Sequence, residues 1–442
     1  MLNKKEFVEI VSKGIWRHIF SKTYIKYKII PDKIDFLNNL AVEINSFSYH
    51  ASVPREYIVS NKHNLVSRIV PSLSLADLCV FYYCVKSIEE NLSVQRVEGT
   101  FGGYQLGTSI RKIEQEEFDN NVSEIPFSFS PYSYNPMAWV KAWRDFQKKV
   151  YTGLNTGEYS YFIKFDIANF YDCINLNILE NKIRSICDKK ESFTIDLLFT
   201  FLKNWNRKFH SYSLKTVGLP QDEVGDCSRL LANFYLQDFD IKFRTYCKLY
   251  KIKYLRYSDD MILMGNNEKY CKEALFFASK ELSKIGLNIN SSKVDLFETK
   301  ESFDKYWAFD IFNLLGDKFN YKNIEAAIRL YKEYNILNIK FRKSSVQSRI
   351  LNCDLKKIDL SLRYEIINEV LKDDFLMNAE ERQLNTIFNL LSSEDKIIFK
   401  EKLEKLIDVV QFNKYHYVLL KIADELNFDK QKLENKIISL SI

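Results

Sequence analysis

Residues 253–265, KYLRYSDDMILMG, constrain this chain more than any other stretch. Tyr254-Leu255-Arg256-Tyr257 and Met261-Ile262-Leu263-Met264 are strand-like and apolar-rich, so Asp259 and Asp260 fall where two strands meet in a tight hairpin. Adjacent carboxylates raise each other's pKa by like-charge repulsion, and the usual compensation is a bound cation that prefers oxygen ligands, most often Mg²⁺. A solvated Asp-Asp turn is the plainer alternative. Lys372-Asp373-Asp374-Phe375 offers an internal contrast, since it sits in a charged, helix-like stretch and reads as surface. Asp259 and Asp260 instead interrupt strands that should be buried, where uncompensated charge costs roughly 3 to 5 kcal/mol. The pair is therefore a metal-site candidate.

A chain of 442 residues can bury a large core and divide into two or three subdomains, and 46% hydrophobic content excludes a mainly disordered protein. The net charge of +6 permits a polyanionic partner without requiring one. With 27 Tyr and 33 Phe against 12 Gly and 7 Pro, the chain is compact and aromatic; such rings stack on bases or, more commonly, fill cores. Eight scattered cysteines, with no Cys-x-x-Cys pair, suit a reducing compartment and no zinc site. The start of the chain shows no signal-peptide pattern, and the longest apolar run, residues 75–85, contains Asp77 and is too short to span a bilayer. The expectation is a soluble, cytoplasmic protein without membrane contact.

Up to about residue 50 the pattern predicts short helices with basic faces carrying Lys4, Lys5, Lys13, Arg17, Lys22, Lys26 and Lys28. Tyr57-Ile58-Val59 and Ser67-Arg68-Ile69-Val70 read as strands joined by a polar turn at Asn61-Lys62-His63-Asn64, followed by a helix over 74–90 capped by Ser74. Four glycines within residues 99–107 suggest a mobile loop. Residues 128–136 read as a rigid aromatic loop ahead of a helix over 137–151. Tyr161-Phe162-Ile163-Lys164-Phe165 is a strong strand ending in Asp166, where α/β folds place catalytic groups. Gly218-Leu219-Pro220-Gln221 precedes an apolar helix over 228–236, and a helix over 274–286 precedes a turn and strand containing Lys293. From about 320 onward the spacing is helical, with a basic cluster at Lys340, Arg342, Lys343, Arg349, Lys356 and Lys357.

Tyr257-Ser258-Asp259-Asp260 resembles the Tyr-x-Asp-Asp signature of reverse transcriptases, and the segments opening at Asp166 and Gly218 resemble two further palm motifs of that family. The resemblance, over roughly residues 55–315, implies an α+β right-hand polymerase: an N-terminal helical segment (1–54), fingers (55–160), a palm with an antiparallel sheet (161–315), and a helical thumb with further helices (316–442). It implies RNA-directed DNA polymerisation from dNTPs, with Asp166, Asp259 and Asp260 catalytic. These three and the adjoining Ile167 would hold two Mg²⁺ ions, Mn²⁺ being an alternative. Lys62, Arg68, Ile167, Tyr171, Gln221 and Lys293 would contact the nucleotide, Tyr171 by clashing with a ribose 2′-hydroxyl. Asp172 reads as capping or solvating the next helix, not as a ligand. Where the family commonly follows the Gln with Gly, this chain has Asp222-Glu223, an anionic insertion that should repel phosphate unless it points away. Residues 303–312 stand where a primer-gripping hairpin is expected.

Within that family the chain looks most similar to bacterial defence-associated enzymes of the abortive-infection and retron-like groups, which implies an RNA template, such as a cognate noncoding RNA, a DNA primer or product, and room for a homo-oligomer. Template-independent or protein-primed nucleotidyl transfer, and an inactive palm serving as an RNA-binding scaffold, stay open.

Overall fold

The structure, a computed structural model, describes residues 1–63, 66–93, 95–107, 109–110, 122–124, 127–128, 130–206, 213–221 and 223–441. Two compact units emerge: Met1–Glu56 with Val70–Thr299, and Tyr57–Ile69 with Lys300–Ile442.

The first unit is built around a five-stranded sheet in the order Asp295–Phe297, Tyr161–Asp166, Asp260–Gly265, Lys253–Tyr257, Thr100–Phe101. Strand Tyr161–Asp166 is near-continuously apolar because helices and neighbouring strands cover it; all but Lys164 are buried. Helix Glu268–Ser283 packs against it and against Asp260–Gly265, while Ala138–Asn155 packs against Lys253–Tyr257 and Thr100–Phe101. The sheet is antiparallel as expected except at its edge, where Thr100–Phe101 runs parallel to Lys253–Tyr257.

Within the glycine-rich segment, expected as a loop, Thr100–Phe101 forms that edge strand, and two of the glycines answer to close approach. Gly99 has φ +82°, and a Cβ there would lie 2.4 Å from the Tyr254 carbonyl oxygen. At Gly102, with φ +78°, a Cβ would lie 3.0 Å from the Tyr257 ring. The glycines thus allow a backbone to lie directly on the hairpin strand.

Helix Leu75–Ser87 is apolar all round and accordingly buried on all sides, lying against Ser192–Asn204 and Lys4–Lys13. Ser74 caps it by accepting the Asp77 N–H, as expected. Asp77 is itself fully buried and accepts from the Tyr49 hydroxyl at 2.8 Å and the Ser52 N–H at 3.0 Å. Burial, opposed by these bonds and that from Ser74, pushes its carboxyl up to about 6. The N-terminal helices Lys4–Lys13, Trp16–Lys22 and Lys33–Asn45 bury their apolar faces; Lys4, Lys5, Lys13, Arg17 and Lys22 are exposed on the first two, while Lys26 and Lys28, expected on a helix, are exposed in the segment that joins the second to the third.

The second unit holds most of a two-stranded hairpin, Glu56–His63 with Val66–Ser72, and the helices from Lys300 to Ser439. The first hairpin strand runs through Asn61, Lys62 and His63, which the sequence assigns to the turn; Asn64, the last residue of that expected turn, is outside the described residues. Residues 303–312 are not a hairpin. They belong to helices Lys300–Trp307 and Phe309–Leu314, which meet at Ala308 in the left-handed region. Trp307 and Phe309 stack with ring centroids 5.6 Å apart, and the Arg342 guanidinium lies 4.8 Å over the Trp307 ring. Much of the basic cluster is engaged in this way. Arg349 donates to the Leu315 carbonyl at 3.1 Å, Lys343 pairs with Glu369 at 3.3 Å, and Lys357 lies 5.5 Å over the Tyr321 ring. Asp373 and Asp374 are exposed at the start of a short helix, as the contrast with Asp259-Asp260 anticipated.

Candidate active site

Residue-for-residue pairing places the acidic residues together. Strand Asp260–Gly265 runs antiparallel to Tyr161–Asp166 from Gly265↔Tyr161 to Asp260↔Asp166, so the hairpin tip meets the end of the central strand. Directly opposed residues in such a ladder have Cα atoms about 4.5 to 5.5 Å apart. Tyr257 pairs with Asp260, leaving Ser258 and Asp259 as a two-residue turn. Ser258 adopts φ +55°, which an L-residue holds at a cost of about 1 to 2 kcal/mol.

The electrostatics of the three carboxylates differ. Asp166 is 4% exposed; its Oδ2 accepts from Lys293 Nζ at 2.5 Å, while its Oδ1 is buried with no hydrogen-bond partner. Asp260 Oδ1 pairs with Lys164 Nζ at 2.9 Å. Asp259 has its pKa raised, first by burial and then by Asp260 and Asp166, with Lys293 acting the other way. A buried carboxylate oxygen without a donor and a raised neighbouring carboxyl are what an oxygen-liganded cation would relieve, and the donors are of the type Mg²⁺ prefers. As the side chains stand, no three acidic, His or Cys groups among the described residues converge to enclose a cation. Asp166 and Asp260 each turn one oxygen to a lysine ammonium instead.

The turn leaving the central strand gathers the remaining first-unit candidates. Ile167 bridges Ile289, the Ala168 N–H donates to Asn288 O at 2.8 Å, and the Asn290 N–H donates to Asp166 O at 2.9 Å. These bonds bring the short 3₁₀ turn Ser291–Lys293, and with it the Lys293 ammonium, to Asp166. The Ile167 side chain offers no ligand atom, so only its carbonyl oxygen could serve a cation. Asn169, at φ +47°, starts the four-residue helix Phe170–Cys173, which contains half-buried Tyr171 and exposed Asp172. The Leu219 N–H donates to Tyr171 O at 2.9 Å and the Gly218 N–H to Ile174 O at 2.8 Å, zipping the Gln221 segment to this turn. The Tyr257 hydroxyl is pushed up to about 12, chiefly by burial and also by Asp226, Tyr171 and Asp259, against the lowering effect of Arg229.

The anionic insertion after Gln221 is resolved in part. Glu223 is engaged elsewhere, its Oε1 accepting the Tyr24 N–H at 2.8 Å; Asp222 lies outside the described residues. Gln221 is half-buried. Lys62 and Arg68 belong to the second unit and are exposed on the two strands of its hairpin.

Beneath the acidic turn lies a network that the sequence reading did not single out. Arg256 and Asp240, both 0% exposed, form a bidentate pair with bonds of 2.8 and 2.5 Å. Tyr254 donates to the same Asp240 at 2.8 Å, and Arg256 donates to Asn233 Oδ1 at 2.9 Å. Its last bond, 2.9 Å to the Ser258 carbonyl, holds the turn that carries Asp259. Burial alone would lower the Arg256 pKa, but Asp240 and Tyr254 outweigh it and keep the guanidinium charged. The available signal was the charged residue inside an apolar strand, which demands a buried partner.

Residues 122–312 match the family model described as "Reverse transcriptase (RNA-dependent DNA polymerase)". Among solved structures the chain is similar to apo telomerase from Candida tropicalis, at 12% identity and TM-score 0.34, covering 92% of this chain and 74% of that one. Telomerase from Candida albicans in complex with a TWJ fragment of telomeric RNA gives 12% identity and TM-score 0.27, over 64% and 52%. Reticulocyte-binding protein homolog 1 of Plasmodium falciparum is 22% identical over 313 residues, and the match spans 65% of this chain but 10% of that protein's length. The acidic hairpin tip and the end of the central strand it meets both lie inside the segment, residues 122–312, that is similar to the reverse transcriptase family.

Proposed function

We propose that this chain extends a DNA strand on an RNA template by in-line phosphoryl transfer, with Asp166, Asp259 and Asp260 as the acidic centre. The reading is carried by one observation: the Asp260↔Asp166 pairing that brings the hairpin tip to the end of the central strand. In this reaction the primer 3′-hydroxyl oxygen forms a bond to the α-phosphorus of a dNTP, the bond to pyrophosphate breaks, and the hydroxyl proton is lost. Asp166, Asp259, Asp260 and the Ile167 carbonyl would hold divalent cations, Mg²⁺ by donor preference and Mn²⁺ as a substitute. Such cations, when bound, favour hydroxyl ionisation and stabilise charge on the phosphates.

The protein's own groups do the rest. Lys293 moves from Asp166 toward the leaving phosphates, where its ammonium offsets developing charge. Tyr171 closes the space a 2′-hydroxyl would need, and Gln221 supports the sugar. Lys62 and Arg68 contact the triphosphate. In this reading residues 55–160 serve as fingers, 161–315 as palm and 316–442 as thumb with additional helices. The biological setting we assign is bacterial antiviral defence with a noncoding RNA template, by resemblance; loss of phage protection in cells carrying Asp259→Ala is the expected result, and undiminished protection would contradict it.

The direct test is primer extension on a defined RNA template with all four dNTPs. Wild-type protein should extend the primer only with a divalent cation, and Asp166→Ala and Asp259→Ala should each lose at least about 10³-fold in rate with unchanged circular dichroism. Full activity in either variant would remove that residue from the centre.

A further inference from the structure

The central strand carries one charge before its terminal Asp166, at Lys164, and an ammonium set into an apolar strand needs an acidic partner. Side chains two residues apart share a face, so Lys164 lies on the face that presents Asp166. The register gives it two acidic neighbours there. Asp295 is directly opposite on one flank; on the other, Ile262 is opposite and Asp260 lies diagonally, two residues along. Directly opposed Cβ atoms are about 4.5 to 5.5 Å apart and diagonal neighbours roughly 7 to 8 Å, and a flexible four-carbon lysine stem reaches both.

Of these two neighbours, Asp260 receives the ammonium: Lys164 Nζ lies 2.9 Å from its Oδ1. An ammonium at that oxygen and a divalent cation on the same carboxylate repel each other, so Lys164 must leave before Asp260 can serve as a ligand. Lys293 stands in the same relation to Asp166, but its side chain is 46% exposed and can swing into solvent. The Lys164 side chain is only 14% exposed and is hemmed in by the sheet. Unpaired there, its charge would be costly. Rotation about its own stem instead carries the ammonium across the strand to half-buried Asp295, on the edge strand Asp295–Phe297.

We propose that Lys164 is a positioning residue that alternates between two carboxylates, holding Asp260 in the metal-free protein and turning to Asp295 when Asp260 takes a cation. The proposal rests on the reading of Asp166, Asp259 and Asp260 as a cation centre, and it adds the two groups that set how readily that centre binds. Lys164 competes with the cation. Asp295 relieves the competition by receiving the displaced ammonium, so its influence on cation binding exists only while Lys164 is present.

A double-mutant cycle on Mn²⁺ binding to the full chain without nucleotide, followed by electron paramagnetic resonance of the free ion, tests this. Relative to wild type, Lys164→Met should bind Mn²⁺ about tenfold more tightly and Asp295→Asn about tenfold more weakly. The variant carrying both changes should match Lys164→Met within about twofold. Lys164→Arg, whose charge can still face either carboxylate, should keep the dependence on Asp295. Lys164→Gln is the second neutral replacement, used if Lys164→Met loses its native circular dichroism. An Asp295→Asn effect of equal size with and without Lys164 would make Asp295 a nearby charge and nothing more. Unchanged or weaker binding in the neutral Lys164 variants would mean that the lysine does not compete. Either result overturns the inference and leaves the cation centre standing, whereas a wild type that binds no Mn²⁺ removes the centre and the inference with it.

Discussion

Tyr171, half-buried, is the residue to which the proposed function gives the choice of sugar. Its backbone carbonyl is tied to Leu219, so the ring is held on the turn that leaves Asp166. Replacing it by alanine should raise the ratio of ribonucleotide to deoxyribonucleotide incorporation by about tenfold or more; an unchanged ratio in competition assays would end the steric-gate assignment. Asp77 supplies a prediction about stability. Its folded pKa of about 6 lies above the ordinary 3.8, so the native state binds this proton more tightly than the unfolded chain does. The stabilisation is complete below the unfolded value and is lost as pH rises through about 6. Relative to Asp77→Asn, the wild type should therefore lose up to about 3 kcal/mol between pH 4 and 7, measured by chemical denaturation at each pH. A constant difference would show that Asp77 is not titrating there. The acidic pair at 259–260 was legible in the sequence because charge interrupts two apolar strands. Arg256 was not, since its partners Asp240 and Asn233 lie 16 and 23 residues away on helices whose approach only the fold reveals.

At the level of the hairpin, the buried Arg256–Asp240 pair does more than fill the interior, because the same guanidinium holds the Ser258 carbonyl. Arg256→Met alone should cost about 3 to 5 kcal/mol by stranding the Asp240 charge. Arg256→Met with Asp240→Leu should recover most of that loss in thermal unfolding, yet leave nucleotide incorporation at least about tenfold down. Recovery of both stability and rate would make the network purely structural. Gly99→Ala should destabilise the sheet edge by more than the roughly 1 kcal/mol typical of backbone strain, since its Cβ would meet Tyr254 O at 2.4 Å; an unchanged denaturation midpoint would show that the edge yields. The sequence suggested a loop here because glycine signals conformational freedom, whereas these glycines answer to close approach. Residues 303–312 read as a hairpin only by their position in the resemblance. Their local pattern, with Phe303 and Trp307 buried four residues apart, is that of a helix.

For the whole molecule, the order of segments along the chain hides the way they group. Residues 57–69 associate with Lys300–Ile442, although 230 residues of the first unit intervene, from Val70 to Thr299. No local pattern can announce such an exchange, because it depends on contacts like Asn413 with Tyr57 and Val59. No helix among the described residues is long and apolar enough to cross a membrane. The central claim is that Asp166, Asp259 and Asp260 form one cation-binding centre, and electron paramagnetic resonance of Mn²⁺ titrated into the protein with a dNTP tests it most directly. The account predicts two bound ions per wild-type chain and loss of at least one in both Asp166→Ala and Asp259→Ala. Wild-type stoichiometry and affinity retained in both variants would contradict it.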